Sequence, residues 1–121
     1  MALTISGTDG ITFPNEQTLV SAWVHFNGTG TVAIQDDGNV SSLNDYGTGQ
    51  YATNFSNSFA NAYYCANGFV GSTTTSIGIR VTACENPSYQ RTTARVGTSH
   101  TAGNNGTTYQ DVPYCSVSAI S

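Results

Sequence analysis

Residues 22–34 read Ala22-Trp23-Val24-His25-Phe26-Asn27-Gly28-Thr29-Gly30-Thr31-Val32-Ala33-Ile34. Taken at period two, Ala22, Val24 and Phe26 share one face and Trp23 and His25 the other. Both faces carry bulk, so the stretch predicts a strand covered on both sides. Asn27-Gly28-Thr29-Gly30 is turn chemistry, because Asn-Gly accepts the positive φ of a tight hairpin. Thr31–Ile34 then returns as a second strand with Val32 and Ile34 inward. The same grammar repeats immediately. Asp36-Asp37-Gly38-Asn39 reads as a turn, and Val40–Asp45 pairs with Gln50–Phe55 across Tyr46-Gly47-Thr48-Gly49, with Tyr51, Thr53 and Phe55 on one face.

Outward from this centre the pattern continues in short pieces. Tyr63–Ala66 is extended, Asn67-Gly68 reads as a turn, and Phe69-Val70 follows. Ser76–Ala83 alternates clearly, with Ile77, Ile79 and Val81 on one face. Arg91–Val96 is a further strand, while Asn86-Pro87 and Thr98–Thr108 read as loops. Val112–Ile120 closes the chain, with Cys115, Val117 and Ala119 opposite Tyr114, Ser116, Ser118 and Ile120. At the other end, Leu3–Ser6 and Ile11–Phe13 flank Gly7-Thr8-Asp9-Gly10. This stretch carries too few apolar groups for a core of its own. Short strands at roughly ten-residue spacing predict an all-β fold, an antiparallel β-sandwich or jelly-roll-like domain over residues 19–121. Residues 1–18 form a short extended N-terminal arm.

Composition narrows the function classes. The chain has 121 residues, of which 8% are charged, against about 25% in ordinary globular proteins. Lys is absent, three Arg face seven acids, and the net charge is −4. No nucleic-acid footprint exists in such a chain. No apolar run approaches the roughly 20 residues of a membrane span, so no membrane insertion is expected. The residues after Met1 lack a basic and an apolar region, so no signal peptide is expected. Ser, Thr, Asn and Gly make up about 45% of the sequence. That surface hydrogen-bonds without long-range fields, which suits neutral ligands. Cys65, Cys84 and Cys115 are an odd set with no zinc-type spacing; free, buried or half-buried thiols are expected, with one disulfide as the alternative.

The quoted 22–34 segment continues through Asn39-Val40-Ser41-Ser42, Gly47-Thr48-Gly49-Gln50-Tyr51, Asn54-Phe55 and Ala62-Tyr63-Tyr64. Together with the opening Leu3-Thr4-Ile5-Ser6-Gly7-Thr8-Asp9-Gly10-Ile11-Thr12-Phe13-Pro14, it resembles the C-terminal domains of tailed-phage tail fibre proteins of the cyanophage or marine type. The resemblance covers residues 1–66. It implies a homotrimeric structural protein of a bacteriophage virion, made in the bacterial host cytoplasm and partnered by other virion proteins. As a tail fibre or fibre tip it would contact host surface carbohydrate. A capsid decoration or cement protein bridging capsomers is the alternative, and a polysaccharide depolymerase fragment a remote one.

Candidate chemistry is sparse. Asp36-Asp37 is the sole adjacent acid pair and reads as solvated turn residues. A calcium loop drawn from Asp36, Asp37, Asn39 and Asp45 does not fit the EF-hand spacing. His25 reads as a packed structural histidine. His100 sits beside Ser99 in a polar loop, and a triad with Asp111 lacks a nucleophile elbow. No enzyme activity, cofactor or metal is therefore expected. Among the aromatics, Trp23, Tyr51 and Tyr63 are expected between sheets or at a trimer axis. Tyr46, Tyr89 and Tyr109 are the candidates for stacking on glycans. Leu3, Ile5, Ile11 and Phe13 are the candidates for oligomerisation, because isolated two-stranded elements are marginal in water.

Overall fold

A computed structural model describes residues 4–8, 10–12, 20–71, 80–83, 90–102 and 108–121. The described residues contain no helix; the fold is all-β and antiparallel. The strands are β1 (Thr4–Ser6), β2 (Gly10–Thr12), β3 (Ala22–Asn27), β4 (Ala33–Gly38), β5 (Val40–Asp45) and β6 (Gln50–Phe55). They continue with β7 (Cys65–Gly71), β8 (Arg80–Ala83), β9 (Arg95–Ala102), β10 (Thr108–Tyr109) and β11 (Tyr114–Ile120). One sheet runs β4-β3-β11-β7. The other runs β10-β9-β6-β5, with β8 also on β9.

The two larger sheets share one core, in a sandwich-like arrangement. β3 supplies Ala22, Val24 and Phe26, and β11 supplies Cys115, Val117 and Ala119. Tyr51 and Phe55 come from β6 and Val96 from β9. Phe26 meets Tyr51 edge-on at 5.2 Å between ring centroids. β3 and β11 bury alternate residues, as period two requires, whereas β6 and β9 carry runs of consecutive buried residues. Tyr64 seals one end. Its hydroxyl donates towards the Thr92 and Arg95 carbonyls, and Arg91 lies over its ring. Burial raises its pKa to about 12, partly countered by Arg91.

The second hairpin stands where the sequence placed it. Several other expectations are corrected. Asp36 and Asp37 belong to β4, where they face His25 and Val24 across the ladder; they are exposed strand residues, not a turn. Charges there, with a bulge between His25 and Phe26, discourage further pairing along an edge strand. Between β4 and β5 the chain changes sheets through a single residue, Asn39, in the left-handed region at φ 56°. Asn tolerates that conformation, and its side chain ties the corner to Ser21 and Asn57.

The 27–30 turn also differs. Only Gly30 has positive φ, and Asn27 Oδ1 accepts from the Thr29 backbone N–H instead. Gly28 is required by proximity: a Cβ there would lie 2.6 Å from the Tyr51 hydroxyl. Asn67-Gly68 is no turn. Both lie inside β7, and Gly68 makes room for Val81, whose Cγ1 lies 2.6 Å from where a Cβ would be. Thr98–Ala102 is not a loop but the second half of β9, paired with both β6 and β8. Its hydroxyl-rich sequence hid a buried strand. Of Ser76–Ala83, only the end from Arg80 lies in the described residues. The two N-terminal extended pieces pair with each other as a hairpin, Ile5 opposite Ile11.

Candidate functional site

Two clusters stand out, one in the core shared by the two larger sheets and one on the outer face of the four-stranded sheet. The inner cluster is His100, Cys115, Tyr51 and Asp111. His100 is fully buried on β9, not in a polar loop. Its ring lies 5.0 Å from the Tyr51 ring, and its Nδ1 lies 3.6 Å from Cys115 Sγ. Burial lowers the imidazole pKa to about 4, against a smaller upward pull from Asp111. Burial likewise pushes the Cys115 thiol up to about 12. Both groups are thus neutral, and Cys115 is no activated nucleophile, since the thiolate is the reactive form. Tyr51 donates its hydroxyl proton to Asp111 Oδ1 at 2.6 Å. Desolvation, followed by that hydrogen bond and the Asp111 charge, raises the phenol pKa strongly. Asp111 also accepts from the Gly49 N–H, so one carboxylate fastens the 46–49 turn and Tyr51 of β6 to the segment between β10 and β11. This cluster is a structural knot. His100 Nε2 has no partner in it.

The outer cluster occupies the solvent face of β3, β11 and β7. The ladders place Trp23, Ser118 and Asn67 in one row, and His25, Ser116 and Phe69 in the next. Serines on the central strand leave a trough between the larger side chains of β3 and β7. Its volume is about 250 Å³, and both rows line it. Trp23 is 39% exposed, Phe69 75% and Tyr114 48%. Trp23 lies down on its neighbour strand: a Cβ on Gly38 would sit 2.4 Å from the indole Nε1 and 3.0 Å from Cδ1. His25 Nδ1 shares a hydrogen bond with Ser116 Oγ at 3.0 Å, and its ring stacks with Tyr114 at 6.5 Å and 18°. The predicted cover on both faces of β3 is therefore corrected. One face is core, and the other is an open aromatic platform.

The remaining expected residues are dispersed. Tyr46 opens the 46–49 turn and Tyr109 lies on β10. Both are exposed, and the turn abuts Gln110 and Asp111 next to Tyr109. Tyr89 lies outside the described residues. Of the three aromatics expected between sheets or at a trimer axis, Tyr51 packs between the sheets, while Trp23 and Tyr63, the latter 93% exposed, face away from the core. Among the oligomerisation candidates, Ile5 is 75% exposed and Ile11 lies opposite it on β2. Leu3 and Phe13 lie outside the described residues. Cys115 is buried but Cys65 is exposed on β7, correcting the expectation of sheltered thiols; both are free. Cys84 is outside the described residues. Phe69 and Tyr114 were missed as surface residues. The period-two pattern of the last strand put Tyr114 outward, which was the available signal; Phe69 was masked by the false turn at Asn67-Gly68.

No protein-family model matches the chain, and no curated protein or solved structure shows detectable similarity to it.

Proposed function

We propose that the chain is a structural protein of a bacteriophage virion, a module of a trimeric tail fibre or fibre tip that contacts host surface glycans. One observation carries the reading: aromatic rings face solvent on a hydrogen-bonded sheet with few charges around them. Rigid strands hold such rings without the ordering cost a loop would incur on binding. The sequence resemblance over residues 1–66 supplies the virion context. The reading includes no catalytic step, since the buried His100 and Cys115 are held neutral and away from solvent. Partners are two further copies, neighbouring tail proteins and a neutral carbohydrate.

The capsid decoration alternative is favoured by the β1–β2 hairpin, which leaves Ile5 largely exposed as a site for an adjoining protein. Labelled antibody against the chain, viewed on intact virions by electron microscopy, separates the two. Label at the tail fibres supports the proposal. Label over the capsid supports decoration, and label on neither contradicts both.

A further inference from the structure

We infer that the trough between Trp23 and Phe69, on the outer face of the four-stranded sheet, seats one pyranose ring of a neutral glycan. This deepens the attachment reading above, rests on it, and moves the contact away from the tyrosines of the loops.

The shape comes first. β3 and β7 lie on either side of β11, so their side chains stand about 10 Å apart, two strand spacings. The central strand contributes only Ser116 and Ser118 between them, opposite His25 and Phe69 in one row and Trp23 and Asn67 in the other. The resulting volume, about 250 Å³, falls just below the roughly 300–1,000 Å³ of pockets that enclose a drug-sized molecule. It fits a single ring laid on a surface.

The chemistry of the walls comes next. An aromatic face is electronegative, and the axial C–H bonds of a pyranose are its electropositive complement. Trp23 is the strongest such surface in the chain and its sole tryptophan. Its indole lies over Gly38, which no larger residue could occupy without lifting it. Phe69 bounds the trough on the far side of β11, one row along from Trp23.

The floor then separates a glycan from the other occupants. Ser116, Ser118 and Asn67 present hydroxyl and amide groups. An apolar partner, including an aromatic face on a second copy, would strip these of water without replacing their hydrogen bonds. A sugar brings hydroxyls that donate and accept. Charge excludes the remaining class. The chain has net charge −4 and no Lys, no Arg lines the trough, and Asp36 pairs with His25 on its flank. Phosphorylated or carboxylated ligands find no counter-ion there.

Because Trp23 is the only tryptophan, its emission reports on this site alone. The full chain is titrated with neutral oligosaccharides of glucose, mannose, galactose and N-acetylhexosamine. The expected result is a saturable blue shift or quench with at least one of them. Phe69→Ala, on an exposed side chain whose loss leaves the core intact, weakens that binding tenfold or more. Tyr63→Ser, at an exposed position outside the trough, leaves it unchanged. Several results overturn the inference. No saccharide of the panel perturbs Trp23; or binding survives Phe69→Ala and is lost on Tyr46→Ala or Tyr109→Ala. In the second case glycan attachment stands while the trough falls. A drop in oligomer mass on Phe69→Ala, by light scattering, makes the face an interface between copies and likewise overturns it. The antibody location on virions tests the fibre reading separately.

Discussion

His100 makes stability depend on acid in a calculable way. In the folded chain its imidazole is buried among Tyr51, Phe26 and Cys115 and its pKa is lowered to about 4, from an ordinary value of 6.5. Between these values the unfolded chain binds a proton that the folded chain does not, so stability falls as pH falls. Each pKa unit corresponds to 1.36 kcal/mol. The loss relative to pH 7.5 is then about 2 kcal/mol at pH 5 and about 3 kcal/mol at pH 4. Below pH 4 both states are protonated and this contribution levels off. Urea unfolding followed by Trp23 emission is the assay. With a slope of about 1–2 kcal/mol per molar for a domain of this size, the midpoint drops by roughly 1–2 M between pH 7.5 and pH 5. His100→Phe keeps an aromatic ring beside Phe26 and removes the orphaned Nε2, so it flattens this part of the profile. Equal slopes for both proteins between pH 7.5 and 5, or a His100 imidazole resonance, assigned by its loss in His100→Phe, titrating near 6.5 in the folded chain, would refute the reasoning.

Other substitutions probe the same framework. Tyr51→Phe removes the proton donated to Asp111 and is expected to cost about 1–3 kcal/mol in urea unfolding, because the carboxylate keeps only the Gly49 N–H. Gly49→Ala combines a strained φ of +64° with a Cβ 2.5 Å from the His100 carbonyl oxygen, and should lower soluble yield or cost at least about 2 kcal/mol. Gly38→Val raises the indole off β4; a red-shifted Trp23 emission with an unchanged far-ultraviolet dichroism spectrum is the expected signature. Removing residues 1–14 takes away the hairpin bearing Ile5, so the proposed trimer should release monomer in light scattering, or melt at lower temperature. Identical mass and melting would remove the hairpin from the assembly.

The hairpins of residues 22–55 were legible because apolar alternation and turn residues agree there. β11 was legible for the same reason: Cys115, Val117 and Ala119 go inward as their spacing demands. β9 was not. Thr98, Ser99, His100 and Thr101 are all buried, and a hydroxyl-rich run looks like a loop until its two flanking strands are known. Local turn propensity also misled at Asn67-Gly68, where the close approach of Val81 demands glycine for space rather than for φ. Asp36-Asp37 failed in the same manner, since an edge strand tolerates acids that a central one would exclude. The platform was half visible. Alternation placed Trp23 and His25 together, but whether a second layer covers them is a tertiary fact that no local pattern carries.

Host attachment is tested most directly by competition for adsorption. Purified chain is added in excess to host cells before the phage proposed to carry it, and free phage is counted over time. A glycan-contacting fibre module occupies the receptors, so the adsorption rate falls with increasing protein, and Phe69→Ala protein competes at least tenfold less well. An adsorption rate unchanged at saturating protein, with the added chain failing to bind the cells, would contradict the proposed role.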